Sequence, residues 1–238
     1  MSMYVQNILA WRELAAESDV HAGRDWYPIA RNIARQFADT YGIPLDVSAG
    51  VIAVLSPSTE WMANVRGAET IIRAHARGES MPGPGEVETT YYTNVIKAWR
   101  ILSTGSDFPR CDGTRIAASG RRVKCNPTRD DCPARAHLHG PKVSEFHATI
   151  LGKLDGRVVD VWATRAADVG PYDVLSLAKD DPRRIGVPGS RFTILQDAYS
   201  EAARIRGESP AVIQAIVWTY IRRVWRNPVT IAQSEFPF

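Results

Sequence analysis

The sequence predicts an all-α fold, and two observations carry that prediction. Apolar residues recur at three- and four-residue steps along most of the chain, which is the period of an amphipathic helix. Helix-terminating residues separate these stretches: Gly42, a Ser-Pro-Ser run at 56–58 and a Gly/Pro-rich break at 78–85. Only the Arg-Val-Val segment at 157–159 has the composition of a strand, and no internal repeat is apparent.

The first half of the chain contains four predicted helices. The first has Pro28 in its first turn and Gly42 at its end, and its apolar face is formed by Trp26, Ile29, Ala30, Ile33, Phe37 and Tyr41. Asp46 is predicted to cap a second, very apolar helix over residues 47–55. The remaining two are predicted over residues 62–76 and 94–102.

The second half contains three further helices, which we predict over residues 143–154, 191–206 and 210–225. The last has Ser209 as its N-cap and Pro210 at its first position, where the missing amide hydrogen costs nothing. We therefore expect one helical domain over residues 1–238, divided into two lobes.

Residues 104–137 differ from the rest, because they are rich in Gly, Pro, Asp, Arg and Cys and have no apolar period. This segment is predicted to be an irregular insertion. It contains all three cysteines, Cys111, Cys125 and Cys132, and His137 follows. The four residues resemble a Cys3His structural zinc site, which would order a segment without a core. Free thiols, a Cys125–Cys132 disulfide or a mobile basic loop are the alternatives.

The net charge is only +3, so the molecule as a whole is not a polycation. Basic residues are nevertheless clustered. The clusters fit a phosphate-backbone footprint, although charge alone favours solvated helix faces and loop tips: Arg115, Arg121, Arg122 and Lys124; Arg183 and Arg184; Arg222, Arg223 and Arg226. The first twenty residues lack the apolar stretch of a signal peptide, and no apolar run is long enough to cross a bilayer. We expect a cytoplasmic protein without a membrane partner.

Lys142 and Asp160 are the candidate catalytic pair. Lys142 follows a Gly-Pro turn at the start of an apolar segment, and Asp160 lies eighteen residues later in an otherwise apolar run. A lysine amine that is desolvated in an apolar pocket can attack a sugar C1′, and a carboxylate can stabilise the positive charge that develops on the sugar. The alternatives are an exposed lysine at a helix start and an aspartate that only caps the next helix.

The motif around this pair resembles the signature of the helix-hairpin-helix DNA glycosylases of the endonuclease III type. It consists of Gly140-Pro-Lys142-Val-Ser, then Val-Asp160-Val-Trp, with Arg165 five residues beyond the aspartate. Upstream, the apolar segment 52–56 that ends in Leu-Ser and the helix at 94–102 resemble family elements in the same order. The resemblance implies a two-lobed helical fold that flips a base out of double-stranded DNA into a cleft between the lobes.

The resemblance also implies roles for individual residues. Lys142 would be the nucleophile and Asp160 the stabiliser or base, while six further residues would contact DNA or the flipped base: Ser56, Asn64, Gly140, Pro141, Trp162 and Arg165. Trp162 is equally explained as a core residue, and a helix-ending Ser-Pro turn would explain Ser56. Arg165 would anchor the aspartate helix or a phosphate.

The sequence departs from the family pattern at three places. Leu138 and Trp162 replace a usual glycine and histidine, and no cysteine lies beyond Cys132, so no iron–sulfur cluster is expected. A divergent branch of the family in bacteriophage DNA hypermodification substitutes groups on modified pyrimidines without cutting the glycosidic bond.

Three functions follow as hypotheses. The first is a DNA N-glycosylase, with lysine-mediated abasic-site lyase activity. The second is a transferase or lyase acting on the 5-substituent of hypermodified pyrimidines, in the host cytoplasm if the chain comes from a bacteriophage. The third is a non-catalytic DNA-binding protein. Under each hypothesis we expect the protein to act as a monomer, and catalysis would require no cofactor.

Overall fold

A computed structural model describes residues 1–107, 110–111, 114–116, 121–124, 138–174, 181, 183, 186 and 191–226. Across these residues the fold is all-α apart from four strands of two or three residues each, which confirms the predicted fold class. The chain divides into two compact units. We call residues 1–28 together with 153–238 the terminal unit, and residues 29–152 the central unit.

The nine described helices occur in chain order as α1 Met3–Leu14, α2 Glu17–Tyr41, α3 Leu45–Leu55, α4 Trp61–Ala76, α5 Tyr92–Thr104, α6 Pro141–Ile150, α7 Val161–Asp168, α8 Phe192–Arg206 and α9 Pro210–Arg226. The two units divide within α2. No helix in the described part of the chain has the length and apolar character needed to cross a membrane.

Helix α3 is the centre of the central unit. Each residue from Val47 to Leu55 is buried, and the helix packs against α4, α5 and α6. This burial explains why the segment is apolar all round and not amphipathic. The helix ends at Ser56, as predicted.

The short strands lie in and beside the predicted insertion. They are β1 Arg110–Cys111, β2 Thr114–Ile116, β3 Arg122–Lys124 and β4 Leu138–His139. Strand β1 pairs in parallel with β4, and β2 pairs antiparallel with β3. The segment 157–159, in contrast, forms no strand, because its backbone pairs with no neighbouring strand.

The terminal unit is built from both ends of the chain. Helix α1 packs against α7, α8 and α9 around a common apolar core. Trp11 is fully buried there, donates its indole N–H to the Val169 carbonyl at 2.7 Å, and meets the Tyr220 ring edge-on at 5.7 Å. The amphipathic N-terminal stretch of the sequence is therefore the helix that fills this core.

Three predicted helix boundaries are wrong for identifiable reasons. Helix α2 begins at Glu17, so Pro28 lies in its interior and not in its first turn. Helix α3 begins at Leu45 after Pro44, and Asp46 lies within its first turn, where it accepts hydrogen bonds from the Val47 amide and the Ser106 hydroxyl. Helix α6 ends at Ile150, before Gly152, whose φ of +100° is not helical.

Candidate functional site

The turn before Lys142 leads into the N-terminus of α6. Gly140 precedes α6 with φ +95°, a conformation that is strained for any residue with a side chain, and as the N-cap residue it contributes no side-chain cap. Pro141 is the first helical residue and Lys142 the second, and the Lys142 side chain is half-buried. The first-turn amides and the lysine therefore belong to one helix end, which is the arrangement that binds anions.

Helix α6 is held firmly within the central unit. Its buried face includes Val143, Phe146 and Ile150, and the Phe146 ring meets Trp61 edge-on at 6.4 Å. His147 is buried, and its Nε2 lies 3.0 Å from the carbonyl oxygen of Asp46 at the start of α3. These contacts fix the direction in which the start of α6 points within its unit.

Leu138, which replaces the family's additional glycine, is a core residue. Its side chain is fully buried, and its backbone forms β4 beside β1. Strand β4 therefore leads directly into the Gly140 turn, and a buried leucine side chain stands where the family has its additional glycine.

Asp160 lies in the terminal unit, where both of its carboxylate oxygens accept hydrogen bonds. It is the N-cap of α7, and Oδ1 accepts from the Ala163 amide at 2.8 Å. Oδ2 accepts from the Trp218 indole N–H at 3.0 Å. Asp160 thus caps its helix, as the simpler alternative predicted, but its second oxygen has a partner that capping does not require. The carboxylate is half-buried.

The surroundings of Asp160 are aromatic and cationic. The Trp218 ring lies 4.6 Å from that of Trp26, and the Arg222 guanidinium lies 4.2 Å from the Trp218 ring centre. Behind α7, Tyr199 is fully buried and donates to the Ala163 carbonyl at 2.9 Å. Burial, and secondarily the negative charge of Asp160, raises the pKa of the Tyr199 phenol well above its usual value, so that group stays neutral.

Trp162 and Arg165 on α7 form a second group of aromatic and cationic side chains, together with Trp225 on α9. The Arg165 guanidinium lies 4.5 Å from the Trp162 ring centre and 5.6 Å from that of Trp225, and the two rings meet edge-on at 6.3 Å. Trp162 is half-buried and packs against the core of the terminal unit. Arg165 therefore contacts both tryptophan rings, Trp162 of its own helix α7 and Trp225 of α9.

Ser56 and Asn64 lie together at the junction of α3 and α4. The Ser56 hydroxyl donates to the Ala53 carbonyl at 2.9 Å. The Asn64 side chain is 1% exposed and donates to the Ile52 carbonyl at 3.1 Å. Asn64 therefore ties the two helices together from a buried position, and its predicted contact with DNA stays a prediction.

The predicted zinc ligands fall outside the described residues. This applies to Cys125, Cys132 and His137 entirely, and to the side chain of Cys111, of which only the backbone in β1 is described. Within the described part of the chain, no group of three or more His, Cys, Asp or Glu side chains is arranged to hold a metal ion.

Sequence reasoning missed two residues of interest. Trp218 binds Asp160 from 58 residues away, and the only sequence signal is a stripe on α9 in which Trp218, Arg222 and Trp225 follow one another at helical spacing. The other is Lys97, half-buried on α5, where burial lowers the pKa of its ammonium group.

Replacement of Lys97 by methionine is expected to stabilise the protein at neutral pH. The folded state lowers the pKa of Lys97 below that of the unfolded chain, so the charged amine opposes folding and stability rises with pH between the two values. The advantage of Lys97→Met over the parent should therefore shrink as pH approaches the ordinary lysine value of about 10.4. Urea unfolding at several pH values measures the difference in free energy of unfolding between Lys97→Met and the parent. A difference that grows with pH would contradict the burial of the amine.

The comparisons with known proteins identify a family without assigning an activity. The family model described as a family of unknown function, DUF7178, matches residues 1–225. No curated protein and no solved structure matches the chain. Because the match covers both units almost completely, the chain belongs to the DUF7178 family.

Proposed function

We propose that the protein is a DNA-binding enzyme that flips a modified or damaged base out of the duplex, with Lys142 as nucleophile and Asp160 as the stabilising carboxylate. The observation that carries the proposal is the start of α6, where a half-buried lysine follows a positive-φ glycine and a proline in the first turn of the helix. The protein is expected to act as a monomer on double-stranded DNA without a catalytic cofactor.

The first step of the proposal is recognition of the DNA backbone. Pro141 has no amide hydrogen, so the first-turn donors without an acceptor inside α6 are the Lys142 and Val143 amides, and a Cβ on Gly140 would meet nothing within 4 Å. A phosphate group fits such a helix end because its charge and its acceptor oxygens match the exposed N–H groups. The same turn then presents the Lys142 side chain next to the bound backbone.

The second step is chemistry at the flipped nucleotide, which is unreachable inside the stacked duplex. The Lys142 amine forms a bond to C1′ as the C1′–N bond to the base breaks, and the base leaves with the electron pair and takes up a proton. The nitrogen now bonded to C1′ loses a proton, and its lone pair forms the C1′=N bond of a protonated imine as the C1′–O4′ bond breaks and O4′ takes up a proton. The Asp160 carboxylate stabilises the positive charge on the sugar during this step.

Incubation with duplexes that carry deaminated, oxidised, alkylated or 5-substituted bases tests the proposal. Mass spectrometry of the released bases and of the digested nucleosides identifies the reaction. A free base with an abasic product supports excision. A changed nucleoside with an intact glycosidic bond would replace excision by modification of the 5-substituent.

A binding experiment addresses the non-catalytic hypothesis. Salt-dependent DNA binding that survives Asp160→Asn, combined with no product on any of these duplexes, would overturn the enzymatic proposal and leave a DNA-binding protein. Any turnover that Asp160→Asn abolishes would exclude that alternative.

A further inference from the structure

Asp160 is held at two points. A cap needs only one carboxylate oxygen, and the Ala163 amide occupies Oδ1 at 2.8 Å. The Trp218 indole N–H occupies Oδ2 at 3.0 Å and comes from α9, 58 residues further along the chain. Two donors from different helices define the plane of the carboxylate as well as its position, which a single capping bond does not do.

Trp218 is itself fixed by the packing of α2 against α9. At Gly23 the two helices approach so closely that a Cβ would lie 2.5 Å from the Ile216 Cα. One turn further along α2, the Trp26 ring lies 4.6 Å from that of Trp218, and the neighbouring Tyr27 hydroxyl donates to Gln214 at 2.7 Å. The indole therefore has neighbours that restrict its rotation.

A charged side chain also contacts the Trp218 indole. The Arg222 guanidinium lies 4.2 Å from the Trp218 ring centre, within the range of a cation–π interaction. The negative charge of Asp160 also acts on the buried phenol of Tyr199 on α8, whose pKa it helps to raise. The Trp218 indole N–H donates directly to the Asp160 carboxylate.

We propose that Trp218 is a positioning residue for Asp160, whose indole N–H fixes the orientation of the carboxylate that faces the reacting sugar. This inference rests on the proposed function of Asp160 and identifies a residue on which that function depends. Catalytic groups lose rate steeply when they are displaced by small distances, so the second hydrogen bond matters more for turnover than for folding.

The hydrogen bond is tested first, by an experiment independent of activity. In Asp160→Ser the hydroxyl still caps α7 but does not replace the second carboxylate oxygen. Exchange of the Trp218 indole proton with solvent, followed by NMR, should become at least about tenfold faster than in the parent. The Trp11 indole proton, bonded to Val169 in the same unit, is the internal reference and should not change.

The consequence for turnover is tested with benzothienylalanine, a tryptophan analogue that has sulfur in place of the indole N–H. Introduced at position 218, it keeps the ring and its stacking but removes the donor to Asp160. The rate of the proposed reaction under saturating DNA should fall by about tenfold or more with KM little changed. The same analogue at position 11 removes a buried bond to a backbone carbonyl and is the matched control, with an unchanged rate.

The possible results separate the two proposals. Unchanged exchange of the Trp218 proton in Asp160→Ser would overturn the positioning role whatever the activity. Equal losses of rate at positions 11 and 218 would reduce Trp218 to a structural residue and also overturn it. If the parent protein acts on no substrate, the proposed function fails, while the exchange experiment still decides whether Trp218 holds Asp160.

Discussion

Lys142→Ala is expected to abolish the covalent adduct that borohydride traps between the protein and its DNA substrate. Borohydride reduces the imine formed by the lysine amine to a stable amine, and alanine offers no nitrogen to form it. We expect trapping to fall by about a thousandfold or more, as for other lost nucleophiles. Gel electrophoresis of radiolabelled duplex after trapping measures the effect.

Three matched lysine variants make this test specific. Lys142→Arg keeps the positive charge at the start of α6, so it should retain DNA binding but give no adduct, because arginine stays protonated. Lys153→Ala, at an exposed position, should trap normally. Lys97→Ala is the sharpest comparison, since burial lowers the pKa of Lys97. An adduct that is lost in Lys97→Ala and kept in Lys142→Ala would identify Lys97 on α5 as the nucleophile in place of Lys142.

Gly23→Ala is expected to destabilise the protein, contrary to helix propensity. In a helix interior alanine is favoured over glycine by about 1 kcal/mol, so an isolated α2 would gain. In the terminal unit, however, the new Cβ would lie 2.5 Å from the Ile216 Cα and 2.6 Å from its backbone nitrogen. Backbone atoms cannot rotate away, so α9 must shift, and we expect a net loss of about 2–3 kcal/mol in the free energy of unfolding.

Urea unfolding followed by tryptophan fluorescence measures this loss. The control is Ala22→Gly, the reverse change at the adjacent, exposed position of the same helix, which should cost about 1 kcal/mol from propensity alone. A stabilised Gly23→Ala would contradict the close approach of α2 and α9, and with it the account of how Trp26 and Trp218 come together.

The sequence predicts helices well where local signals decide their ends. The Ser209 hydroxyl oxygen accepts a hydrogen bond from the Val212 amide, as expected for an N-cap, and Gly42 follows α2 with φ +64°. Predictions were wrong where tertiary contacts decide. Helix α2 starts nine residues before Trp26, and Asp19 in its first turn accepts from the Ala16 amide and pairs with Arg223 on α9, a tertiary contact that no local pattern indicates.

The features of the candidate site also fall into these two classes, those that local sequence indicates and those that depend on tertiary packing. The cap formed by Asp160 and the open turn at Gly140 follow from residues adjacent in sequence, and both were predictable. The bond from Trp218 to Asp160 depends on how α9 packs against α7, and the burial of Asn64 depends on the packing of α4 against α3. Such contacts depend on tertiary packing, so local patterns in the sequence do not indicate them.

The assembly of the terminal unit from both chain ends has a consequence for biosynthesis. Asn7 donates to the Ala167 carbonyl 160 residues away, and Arg12 pairs with Glu208 across 196 residues. A ribosome adds about 5–20 residues per second, so α1 emerges on the order of ten seconds before these partners exist. The apolar side chains of Val5, Ile8 and Trp11 are meanwhile uncovered. The contiguous central unit is free to fold during translation, whereas the apolar face of α1 stays exposed until α7, α8 and α9 have been synthesised.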